Sequence, residues 1–196
     1  MNSFLSSLRN YLRITRADSI ARRYLAMNGF DGALTTLGVI MGAYIAGVLE
    51  IKLILSAGFG ASLAMGISGA TGAYMAEKAE RVKSMKELEE AMFTTLNDTV
   101  IEKASNVAVY FVAFVDALSP IVASLISLSP FIAASFGLLN VTSALYFSLV
   151  LNGATLFVLG VFLGKTSRSN VLFYGGLMVL AGFVTAMVMI LISIFF

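Results

Sequence analysis

The sequence has no cysteine and no histidine, and only 12% of its residues are charged. The first two absences exclude disulfides, thiolate metal sites and any Ser-His or Cys-His nucleophile pair. A metal held by this chain must take carboxylate, amide, hydroxyl, carbonyl or thioether donors. The scarcity of charge excludes more. A soluble domain carries about twice that charged fraction, whereas here 59% of residues are hydrophobic and mean hydropathy is +0.92. The expected class is an all-α polytopic membrane protein, a single membrane domain and not an enzyme.

Long apolar runs are what the chain does have. Five spans are expected, at 24–49, 53–76, 105–127, 139–163 and 171–195. The organisation follows: a basic N-terminal helix over 1–23, two spans over 24–76, a charged helical link over 77–104, and three spans over 105–196. Pro120 is expected to kink the third span and Pro130 to lie in the turn after it. Near the N-terminus, Phe4, Leu8 and Leu12 recur every fourth residue among Arg9, Arg13, Arg16, Arg22 and Arg23. That pattern reads either as an amphipathic helix on an anionic lipid surface or as an ordinary positive flank fixing topology. Lys52 is alone on its side, while the remaining Lys and Arg fall in the N-terminal segment and in the links 77–104 and 164–170. The positive-inside rule then puts the N-terminus in the cytoplasm and Phe196 on the far side of a prokaryotic cell membrane. Gly38 with Gly42, and Gly160 with Gly164, have the GxxxG spacing that allows close helix approach, within one chain or across a dimer.

Three polar features stand out. Asp31 is the single charged residue between Met27 and Leu49, about seven residues and roughly 10 Å into its span. Met27 and Thr35 flank it at i−4 and i+4, so thioether, carboxylate and hydroxyl share a helix face. An acid at such depth usually faces a partner or a watery path; the other reading is a capping or turn Asp in Asn-Gly-Phe-Asp-Gly. Asp116 is expected deeper, near mid-membrane and level with Asn152. The two read either as a structural pair between helices or as a proton-carrying or gating site. In the link, Glu77, Glu80, Glu87 and Glu90 fall within a helical arc of roughly 140°. Such a face can attract divalent cations, or it can be a solvated helix laced with ion pairs to the neighbouring Lys and Arg.

DGALTTLGVIMGAYIAG at 31–47 resembles the first-helix motif of the vacuolar iron transporter family. SGATGAYMAEKAER at 68–81, followed by KELEEA, is similar to that family's second helix running into its acidic segment, and residues 142–188 resemble its last two helices. The resemblance implies five helices with a cytoplasmic N-terminus. It also implies a homodimer that exports iron(II) or manganese(II) from the cytosol, in exchange for protons, with Asp31 as metal ligand. The chain departs from the family where Gly69 and Ala73 stand in place of a second-helix Met and Glu, with Met65 and Glu77 one turn away on each side as substitutes. Asp116 stands where the family has Gly, and the acidic segment is shorter. No cofactor other than the transported metal, and no nucleic acid, is expected; lipid, metal and a second copy are the expected partners. The rival reading is a non-transporting scaffold or lipid-interacting membrane protein.

Overall fold

A computed structural model of the chain describes residues 9–97 and 99–194. Phe4 and Leu8 of the expected amphipathic helix, and Phe196, lie outside the described residues. Residues 9–14 are helical, and Arg16, in a left-handed conformation with φ 51°, breaks the chain before the first long helix. That break falls earlier than expected: residues 17–23 belong to the helix of the first span. The five long helices are α1 (Ala17–Ile45), α2 (Ile51–Met92), α3 (Val100–Ser135), α4 (Val141–Thr166) and α5 (Val171–Ser193).

Each boundary has a local cause. α1 ends where Gly47 takes φ 70°, so that Val48 N–H reaches the Ala43 carbonyl and Gly47 N–H the Tyr44 carbonyl, at 3.0 and 3.1 Å; this double bond closes a helix C-terminus. Thr99, Asn140 and Asn170 cap α3, α4 and α5 by accepting from backbone N–H groups of the first turn. Thr99 with Glu102 has the capping-box spacing.

Among the described residues four helices, α2 to α5, are long and apolar enough to cross a membrane, and the chain is a helical membrane protein. α1 is long enough but is diluted by Asn28, Asp31, Thr35 and Thr36. α2 has 42 residues, roughly 63 Å of helix, about twice the thickness of a hydrocarbon core. Its last turns therefore project beyond the membrane. The link is helical only to Met92; residues 93–97 and Thr99 are not helical, so the expected helical link over 77–104 is interrupted before α3 begins at Val100.

α3 packs against α1, α2 and α4, while α5 packs on α4 and α1. The buried positions of α3, among them Ala108, Val112, Asp116, Ala123, Ser127 and Phe131, recur every three or four residues along its length. Pro130 lies inside this helix and not in a following turn. Proline removes the donor for the carbonyl four residues earlier, and Ser129 Oγ donates to that Ile126 carbonyl at 2.7 Å. The helix thus runs on to Ser135. Three apolar clusters fill the bundle: Ile40, Ile54, Leu128 and Phe131 at one end, Ala33, Ala123 and Leu156 in the middle, and small residues such as Ala17, Ala73 and Ala108 at the Lys/Arg-rich end. The Gly160/Gly164 pair is used within the chain: Gly160 packs on the backbone of Tyr174 and Gly175, and Gly164 on Val171. It closes the α4–α5 hairpin. Gly38 faces open space and Gly42 faces the tip of Met189.

Candidate functional site

The polar residues of α1, α2 and α3 meet in two layers. In the first, Asn28 Nδ2 of α1 donates to Asp116 Oδ1 of α3. Asp116 is 2% exposed, and an unpaired carboxylate there would carry a heavy desolvation penalty. The other carboxylate oxygen faces α2 at Gly69, where an added Cβ would stand 2.8 Å away. Pro120 lacks an N–H, so the Asp116 carbonyl has no helical donor; this oxygen also faces Gly69, 3.6 Å from the same Cβ position. In the second layer, Thr35 Oγ1 donates to Met65 Sδ at 3.4 Å. Met65 and Gly69 are one turn apart on α2, as Asn28, Asp31 and Thr35 are successive turns of α1.

Asp31 lies between the layers. It is exposed, as is Met27 at 56%, so the stripe Met27–Asp31–Thr35 forms an outer edge of the bundle. Asp116 was expected deeper than Asp31 and beside Asn152. It instead sits opposite Asn28, one turn toward the Lys/Arg-rich end from Asp31. The reason is that α3 begins at Val100 beside the projecting end of α2, so its first turns add length without depth.

Asn152 belongs to a separate cluster on the inner side of α1. Its Nδ2 donates to the Ala33 carbonyl and to Ser127 Oγ, both at 2.9 Å. Ser148 Oγ donates to the Ser127 carbonyl, and Ser124 Oγ to the Gly32 carbonyl at 3.2 Å. α1, α3 and α4 are tied together there by bonds to α1 carbonyls and to Ser127 of α3. The expected Asp116–Asn152 pair is not formed.

The four glutamates of the link separate. Glu77 is buried and pairs with Arg81 at 3.7 Å. Arg81 also donates to the Thr15 carbonyl at 3.4 Å, joining the projecting end of α2 to the N-terminal segment. Burial pulls the Arg81 guanidinium below its usual range, and the Glu77 charge works against that pull. Glu80, Glu87 and Glu90 are exposed, Glu87 within 3.9 Å of Lys83. Among the described residues, no three acidic side chains come together as a metal-holding group.

Asn28 was not singled out from the sequence, although it stands in the same Asn-Gly-Phe-Asp run as Asp31. The available signal was an amide within an apolar helix while another helix carried a lone acid. Neither residue's sequence position shows that their helices cross there.

Two comparisons return nothing: no family model and no solved structure matches the chain. An uncharacterized protein of the archaeon Methanocaldococcus jannaschii is 30% identical over 190 residues, covering 95% of each chain. The chain belongs to that protein's family. The alignment spans all five helices, so the relative extends over the whole bundle and not one motif.

Proposed function

We propose that the chain is one protomer of a homodimeric, five-span transporter that moves iron(II) or manganese(II) out of the cytosol in exchange for protons. The carrying observation is Asp31, an exposed acid on the surface of a helix embedded in an apolar bundle. Left against lipid, such a group costs a few kcal/mol. A two-fold partner packed on the same face would bring two copies of Asp31, Met27 and Thr35 together and give both acids a shared polar path. It would also supply the donors that one protomer does not assemble. Carboxylate, hydroxyl and thioether groups, without imidazole or thiolate, suit iron(II) and manganese(II) better than zinc or copper. The resemblance of residues 31–47 to the vacuolar iron transporters supports the same reading.

In this arrangement α1 is the fifth span, its polar side turned to the partner rather than to lipid. The Lys/Arg-rich end, with Glu77, Glu80, Glu87 and Glu90, faces the cytoplasm, and the exposed glutamates collect cations there. Asp31 strips and holds the metal. Asp116, enclosed and bonded to Asn28, carries a proton or gates the step beside it. Uptake of iron(II) and manganese(II) into proteoliposomes with an internal pH dye tests this. The wild type should move metal with a counter-flow of protons, and Asp31→Asn should lose at least about tenfold in rate, the scale of a lost charged contact. Unimpaired uptake by Asp31→Asn would refute the proposal.

A further inference from the structure

On the side of α1 away from Asp31, a crevice of about 540 Å³ opens between α1, α3 and α4. Its walls include Leu25, Gly29, Val122, Ala154, Val158 and Leu159. Gly29 helps keep it open, since a Cβ there would press on Leu159 at 3.2 Å. The hydroxyls that line it, Ser119 and Thr155, donate to carbonyls of their own helices, those of Val115 and Leu151. Their hydrogens are thus spent within the helices, and the other lining side chains are apolar, so the lining offers no free side-chain donor.

One turn further along the same two helices the chemistry reverses. A second cavity, of about 360 Å³, is lined by Arg22 of α1 and by Phe162, Lys165 and Thr166 of α4. Arg22 precedes Leu25 by one turn, and Phe162 follows Leu159 by one turn, so the two cavities lie in succession along the groove between α1 and α4, the cationic one toward the Lys/Arg-rich end. Arg22 is shared with Asp18 at 3.0 Å, both side chains about half exposed. Among the described residues no acid pairs with Lys165. From Lys165 down to Leu151 the groove follows roughly 21 Å of helix, more than the roughly 15 Å of hydrocarbon in one leaflet.

We infer that this groove is a site for an anionic phospholipid, its phosphate at Arg22 and Lys165 and an acyl chain in the crevice below. Basic pockets between membrane helices bind anionic head groups in this way. A neutral lipid would use the crevice but gain nothing from the two cations at its mouth. On α1, Arg22 and Gly29 lie about 160–180° around the helix from Asp31, so a bound lipid leaves the Asp31 face open.

The chain has no tryptophan, so one placed in the groove reports without background. In Val158→Trp proteoliposomes, quenching by acyl-brominated phosphatidylglycerol should half-saturate at a mole fraction at least about fivefold lower than with brominated phosphatidylcholine, as two surface cations predict. Adding Arg22→Gln and Lys165→Gln should bring that ratio close to one. Lys165→Gln alone, which leaves the Arg22–Asp18 pair in place, should lower it. A Leu180→Trp control on α5 should show no preference. Equal quenching by the two lipids at residue 158 would overturn the inference. So would a preference that survives loss of both cations, or one reproduced at residue 180.

Discussion

The Asp116 carboxylate stands in the space that a side chain at Gly69 would fill, 2.8 Å from the position of its missing Cβ. An acid on α3 and a glycine on α2 are therefore one structural choice. The family that the sequence resembles makes the opposite choice, a Met on the second helix and a Gly on the third. Gly69→Met alone should destabilise the protein by about 1–3 kcal/mol through overpacking, and Asp116→Gly alone should leave Asn28 unpaired. Their combination should be more stable than the sum by at least about 1 kcal/mol, the coupling expected of residues in contact. Thermal unfolding of the four proteins in detergent measures it; simple additivity would mean that the two positions do not share space.

Asp31 and Asp116 differ in surroundings, and their variants should differ in kind. Asp116→Asn keeps an acceptor for Asn28 and the same volume, so the fold should hold, as should metal binding. What should disappear is the pH dependence of metal transport, because the amide cannot take up a proton. Asp31→Asn should instead lose binding and transport together. Metal titrations and uptake between pH 6 and 8, about the range in which proton-coupled transport is usually assayed, separate the two. Equal loss of metal affinity in both variants would make Asp116 a ligand.

Gly32 and Gly38 lie on one helix and should respond oppositely to a methyl group. A Cβ at Gly32 would sit 2.6 Å from Pro120 Cα, backbone that cannot yield cheaply. Gly32→Ala should cost about 1–3 kcal/mol. Gly38 meets nothing within 4 Å, and Gly38→Ala should be neutral or favour the helix by up to about 1 kcal/mol. If a second copy covers that face, Gly38→Phe should lower the dimer fraction in light scattering while helicity stays unchanged. A dimer indifferent to Gly38→Phe would place the interface elsewhere.

The link glutamates divide between structure and solvent. Glu77→Gln leaves the partly buried Arg81 without its counter-charge and should cost about 2 kcal/mol, less than a fully buried pair because Arg81 is partly exposed and 3.7 Å is a loose contact. The triple Glu80/Glu87/Glu90→Gln variant should unfold at the wild-type temperature and yet capture less metal at low metal concentration. Unchanged capture would leave those three residues as a solvated face.

The sequence by itself determined the class of this protein and most of its helices. Absence of charge over twenty-residue stretches can be satisfied only by lipid or a large core, and backbone groups in lipid require helices. Asn140, Gly47 and Asn170 mark their boundaries through local chemistry, which needs no knowledge of the fold. Pro130 stays inside α3 because whether a proline ends a helix depends on what donates to the freed carbonyl, here Ser129 Oγ. Thr35 is legible from its i+4 spacing to Asp31 and Met65 from the resemblance, but their 3.4 Å contact is a property of the α1–α2 packing. The depth of Asp116, its bond to Asn28, the separation of Asn152 and the inward turn of Glu77 were decided only by tertiary structure. Each depends on the rotation and offset of one helix against another, and helical periodicity gives a face but neither its partner nor its height.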